Sequence, residues 1–61
     1  MWYIKNEEGL YYAGYTNGCV IWKSHWSRAY YSGDMGYLHG VVDTLTEVIG
    51  LEGLTVEWED E

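Results

Sequence analysis

The chain has no proline and no phenylalanine, a single cysteine, and only three basic residues against ten acidic ones among its 61 residues. Each scarcity excludes something. One thiol, Cys19, cannot close an internal disulfide, so no covalent staple is expected and a reducing cytoplasm fits best. No basic leader with an apolar run and cleavage site opens the sequence. The longest apolar runs fall far short of the ~20 residues that span a bilayer, so a soluble protein with no membrane segment is expected. The net charge of −7 repels phosphate backbones and anionic lipid, which argues against direct nucleic-acid binding and in favour of a basic protein surface as partner.

Chemistry-bearing motifs are equally scarce. Cys19, His25 and His39 are the only soft metal ligands, and they show neither a CxxC nor an HxxxH spacing, so no metal or other cofactor is expected. Ser24, Ser27 and Ser32 lie near His25 without an oxyanion-hole motif, and so short a chain leaves little room for a substrate cleft. No catalytic residues and no enzymatic activity are expected. Without low-complexity tracts, internal repeats or a linker-like change of composition, residues 1–61 read as one domain. A domain of this size buries only ~60% of the surface its unfolded chain exposes, and its core supplies ~3–5 kcal/mol. Association with a second copy would add to that margin, so a homodimer is expected.

What is abundant is the large amphipathic ring: seven tyrosines and four tryptophans. Trp2 to Lys5 reads as a first strand, followed by the turn formers Asn6-Glu7-Glu8-Gly9 and a second strand over Leu10 to Tyr15. Asn17-Gly18 is the strongest hairpin signal, because a type I′ turn needs positive φ at both central residues. Cys19 to Lys23 is the returning strand. Opposed residues of an antiparallel pair share a face. The hairpin then sets Thr16 against Cys19, Tyr15 against Val20, Gly14 against Ile21 and Ala13 against Trp22. A four-residue first turn would set Lys5 against Leu10, Ile4 against Tyr11, Tyr3 against Tyr12 and Trp2 against Ala13. One face would carry Trp2, Ile4, Tyr11, Ala13, Tyr15, Val20 and Trp22. The other would carry Tyr3, Lys5, Leu10, Tyr12, Gly14, Cys19, Ile21 and Lys23.

Ser24 to Tyr31 reads as a short helical turn through Trp26 and Ser27, then a few extended residues. Met35, Leu38, Val41, Val42, Leu45, Val48 and Ile49 recur at helical spacing, with Ser32 or Asp34 as cap and Gly50 as stop. Gly36 and Gly40, four apart on that helix, raise the expectation that something packs closely there. Leu54, Val56 and Trp58 alternate with Thr55 and Glu57 as a last strand. The whole is an α+β fold (βββαβ): an antiparallel three-stranded meander, one amphipathic helix on one sheet face, and a C-terminal strand.

A single helix covers a single face. Tyr3, Leu10, Tyr12 and Ile21 are therefore expected in water, as an apolar patch suited to a partner. The acidic ending Glu57, Glu59, Asp60 and Glu61 would steer a basic target toward it. The layout YIKNEEGLYYAGY, then a Trp-rich return strand, SRAYYS, a helix and a short acidic strand, resembles small bacteriophage accessory proteins over nearly the whole chain. That resemblance implies a compact phage-encoded module made in the host cytoplasm. It also implies stoichiometric inhibition of a host or anti-phage defence protein, and it transfers no catalytic residue. A small-molecule or nucleotide sequestering protein and a structural component of a particle are the other readings.

Overall fold

The structure, a computed structural model, describes residues 1–60. Two turns set its register. At the second, Asn17 (φ 52°) and Gly18 (φ 77°) both adopt the positive φ that a two-residue type I′ loop demands. Strand β2 (Tyr11–Thr16) thus returns as β3 (Cys19–Lys23), with Thr16 opposite Cys19, Tyr15 opposite Val20 and Gly14 opposite Ile21. These pairings are as expected.

The first turn is different. After β1 (Trp2–Lys5), Asn6 and Leu10 still bond (N–H to O, 2.9 Å), and the Gly9 N–H reaches back to the Asn6 carbonyl at 3.1 Å. The Asn6 side-chain oxygen accepts from Glu8 N–H at 2.9 Å and Leu10 N–H at 3.0 Å. Gly9 sits at φ 81°, so the loop proper is Glu7-Glu8-Gly9, a type I turn closed by a left-handed glycine. This loop, one residue shorter than expected, pairs Asn6 with Leu10 and so sets Lys5 opposite Tyr11. Because side chains alternate, a slip of one residue exchanges faces: Tyr12 joins Ile4 on the helix side, and Tyr11 joins Tyr3 on the other.

A bulge undoes the slip within β2. The register shifts between Tyr12 and Gly14, with Gly14 at φ 139°, so that Trp22 lies opposite Tyr12 instead of Ala13. Bulges spend one extra residue on one strand. Here the bulge reconciles two turns that would otherwise impose incompatible registers on one strand.

Among the described residues the fold is α+β, with an antiparallel sheet of five strands and one helix. Strand β1 is central. Along one edge it pairs with β2 at Lys5 and with the two-residue β4 (Tyr31–Ser32) at Trp2 and Tyr3. Its other edge takes β5 (Thr55–Trp58), from Trp2 opposite Trp58 to Lys5 opposite Thr55. Between β3 and β4 the chain makes a 3-10 turn, Trp26–Arg28, where a short helical turn was expected.

Helix α1 (Met35–Thr44) starts at Asp34, whose Oδ1 accepts from Gly36 N–H at 2.9 Å and Tyr37 N–H at 3.4 Å. Ser32 Oγ in turn accepts from Asp34 N–H. The helix widens into a π turn over Leu45–Ile49, in which Gly50 and Leu51 N–H both reach the Leu45 carbonyl. Gly50, at φ 85°, ends it. The core joins Ile4, Tyr12, Leu38 and Leu45, flanked by half-buried Trp2, Val20, Trp22, Val41, Val42, Ile49, Leu51, Leu54 and Val56. Complete burial of Ile4 and Leu38 contributes roughly 1.5–3 kcal/mol each. A Cβ at Gly40 would meet nothing within 4 Å, and one at Gly36 would meet only Asp34. The close packing expected at that glycine pair is therefore absent among the described residues.

Candidate binding surface

The sheet face away from the helix was expected to be bare, and the structure corrects this. Tyr3 is 1% exposed. Its ring lies edge-on to Tyr11 at 5.8 Å and meets Trp26 at 6.3 Å and Tyr31 at 6.1 Å. Trp26 is brought there by the 3-10 turn, which is capped by His25: Nδ1 accepts from Ser27 N–H at 3.1 Å, and the imidazole stacks on the indole at 4.8 Å. Trp26 and Tyr31 of the segment from 24 to 31 thus roof that face. The Ser27 hydroxyl also lies 2.9 Å from His25 Nδ1, a contact between residues two apart that belongs to the same cap.

The four apolar residues expected to form one patch are not brought together. Tyr3 lies under the roof. Tyr12, 8% exposed, lies in the helix-side core, edge-on to Trp22 and Tyr30, because of the register slip. Leu10 and Ile21 are half-buried. Burial raises the Tyr12 pKa, with the charge of Tyr37 adding to it.

The acidic ending is largely tied down by its own chain. Glu57 Oε1 lies 3.7 Å from Lys5 Nζ, and its other oxygen accepts from Thr55 Oγ1 at 2.7 Å. Glu59 Oε1 accepts from the Tyr11 hydroxyl at 2.6 Å, and Asp60 accepts from Trp58 Nε1 at 2.9 Å. Glu61 lies outside the described residues. Accepting that hydroxyl bond is the main way Glu59 pushes the Tyr11 pKa from 10.0 to about 12, with burial and the charges of Glu59, Glu57 and Tyr3 adding to it. Lys5 also sits 5.0 Å over the Tyr11 ring, completing a lattice of rings and charges on this side.

Open apolar surface occurs elsewhere. Between the β2–β3 hairpin and the end of the helix lies a groove of about 320 Å³, lined by Tyr12, Tyr15, Val41, Thr44, Leu45, Val48 and Ile49. At its mouth Val48 is 77% exposed and Tyr15 50% exposed. The apolar spacing of the helix places Val48 in the buried stripe, three residues after Leu45. The π turn overrides this by spending more residues per turn, so that Ile49 faces the sheet and Val48 is carried outward. π geometry leaves no mark in a hydrophobic pattern, and this groove could not be read from the sequence.

Among the described residues no three histidine, cysteine or acidic side chains converge as a metal site, and no helix is long and apolar enough to cross a membrane. Comparison of the chain with protein-family models, with curated proteins and with solved structures gives no match.

Proposed function

We propose that this chain acts by stoichiometric binding to another protein, with the groove between the β2–β3 hairpin and the π turn as its docking surface. One observation carries the reading: a valine three-quarters exposed beside a half-exposed tyrosine, at the mouth of an apolar concavity. Single exposed apolar side chains are ordinary, but exposed ones set at the mouth of an apolar concavity are the kind of surface a partner covers. Of the four apolar residues expected to anchor a partner, only Tyr12 lines this groove. The net charge of −7 favours a basic target and steers the encounter over long range. The exposed free thiol of Cys19 accords with a reducing cytoplasm. In the phage setting implied by the resemblance, the bound protein is a host or defence factor and the outcome is its inhibition. A second copy of the chain is the other occupant worth testing.

The experiment compares Val48→Asp with Met35→Asp, a control placed on exposed apolar surface at the far end of the helix. Host protein retained by the wild type and by the Met35 variant but lost by the Val48 variant supports the groove. Light-scattering mass applies the same comparison to self-association. Equal retention by all three proteins, with equal mass, rules out the groove as a docking surface. The groove volume also falls at the small end of ligand pockets, ~300–1,000 Å³. A ligand-induced thermal shift that Val48→Asp abolishes, without any protein partner, would favour sequestration instead.

A further inference from the structure

A second groove, of about 230 Å³, opens on the helix side where the β1–β2 turn meets the loop that precedes β5. Its apolar wall is Trp22, Leu51 and Leu54, all half-buried, and its rim is Glu7, Glu8 and Glu52, all exposed. Gly53 stands at φ 73°, and the Glu7 side chain lies over it. Trp22 is held edge-on to Tyr12, ring centroids 6.2 Å apart.

The distribution of cations gives this groove its meaning. The chain has three basic residues, and the fold carries them on the ring-clad face or the turn above it. Lys5 pairs with Glu57 and covers Tyr11. Lys23 is opposite Tyr11 in the sheet and so shares its face, away from Trp22. Arg28 belongs to the turn that roofs that face. Among the described residues none of them forms an ion pair with the rim. The three carboxylates do not converge as metal ligands would; they stand around an apolar wall that includes an indole. An ion would find too few donors at one point. A long side chain with a hydrocarbon stem and a cationic head would find both of its parts accommodated.

We propose that this groove receives an arginine or lysine side chain projected by a protein partner, its stem against Leu51, Leu54 and Trp22 and its charge among Glu7, Glu8 and Glu52. The proposal rests on the reading that the chain acts by binding a protein, and it names the chemistry of that partner. Arginine is the better fit, since its flat guanidinium stacks on an indole face while donating to carboxylates.

The test is a titration of the whole chain with acetyl-arginine-amide at physiological salt, followed by NMR at the Trp22 indole N–H and the Gly53 and Leu54 amides. Acetyl-norleucine-amide serves as the uncharged control. Arginine should give saturable shifts confined to these positions, and norleucine should give weaker ones. Glu52→Gln and Glu8→Gln, both at exposed sites, should each weaken arginine binding by up to roughly fivefold, the range for one exposed ion pair. An unchanged Leu38 methyl signal verifies that each variant is folded. Val48→Asp should leave the titration unaltered, which separates failure at this groove from failure of the docking surface near Tyr15. The proposal is overturned if Trp22 does not respond, if norleucine matches arginine, or if the shifts spread evenly over all surface carboxylates.

Discussion

The two faces of this sheet are closed by different means. On one, the helical run lays Leu38 and Leu45 onto Ile4 and Tyr12, with Trp2, Trp22 and Tyr30 packed around them. On the other, a three-residue turn drops Trp26 onto Tyr3, and Tyr11, Tyr31, Lys5 and Glu59 complete the cover. A helix closes a face by area. Rings close one with far less chain, because each brings a large apolar plane, and tyrosine also carries a hydroxyl that reaches a partner at the edge. The absence of phenylalanine accords with this: on the ring-clad side, the Tyr11 hydroxyl is bonded to a carboxylate. An abundance of tyrosine on a sheet therefore marks an intermolecular surface only when no segment of the same chain is available to cover it.

Four measurements sharpen the contrast, taken from the largest effect to the smallest. Leu38→Ala opens a cavity in the helix-side core and should cost about 2–5 kcal/mol in urea unfolding, enough to unfold much of so small a domain. Trp26→Ala removes the roof without touching that core. Its cost should be about 1–3 kcal/mol, from lost ring contacts and newly wetted Tyr3; a cost matching that of Leu38→Ala would mean the two faces are not independently closed. Tyr11→Phe should cost about 0.5–1.5 kcal/mol near neutral pH and also flatten the alkaline limb. The folded pKa of Tyr11 lies above its unfolded value of 10.0. Its contribution is therefore fully present below pH 10 and lost as the pH rises to about 12. A wild type whose stability stays level across that window would contradict the Tyr11–Glu59 bond. Val48→Asp should change stability by no more than about 0.5 kcal/mol, as befits an exposed site, while removing whatever the groove binds.

Most of the elements were legible in the sequence, because hydrophobic period and turn chemistry are local properties. Asn17-Gly18 fixed one hairpin, Asp34 and Gly50 bracketed the helical run, and Trp26-Ser27 carried the short turn. The register of the first hairpin was not legible. Asn6-Glu7-Glu8-Gly9 is compatible with a loop of either three or four residues, and what decides between them is where the Asn6 side chain places its hydrogen bonds. That single residue exchanged Tyr11 and Tyr12 between faces. The bulge at Ala13 and Gly14 is the consequence, visible beforehand only as a glycine in the middle of a strand pattern.

The candidate site was less legible still. Its apolar anchors were deduced by assuming that one helix leaves one face bare, which neglected a turn already recognisable in the sequence and its tryptophan. The carboxylates at the end of the chain were counted as free charges. In the fold Glu57, Glu59 and Asp60 have partners within the chain, and the acids of interest are the adjacent pair Glu7 and Glu8 together with Glu52, which is far from them in sequence. Proximity of that kind is created by the sheet order, in which β5 returns to the centre beside β1.

Hydroxyl-radical footprinting, read by mass spectrometry at individual tyrosines, bears most directly on the claim that the chain roofs its own aromatic face. In the wild type Tyr3 and Tyr11 should be protected while Tyr15 and Tyr37 react, and Trp26→Ala should make Tyr3 reactive with Tyr12 still protected. If Tyr3 in the wild type labels as readily as Tyr37, the face is open and the roof does not exist.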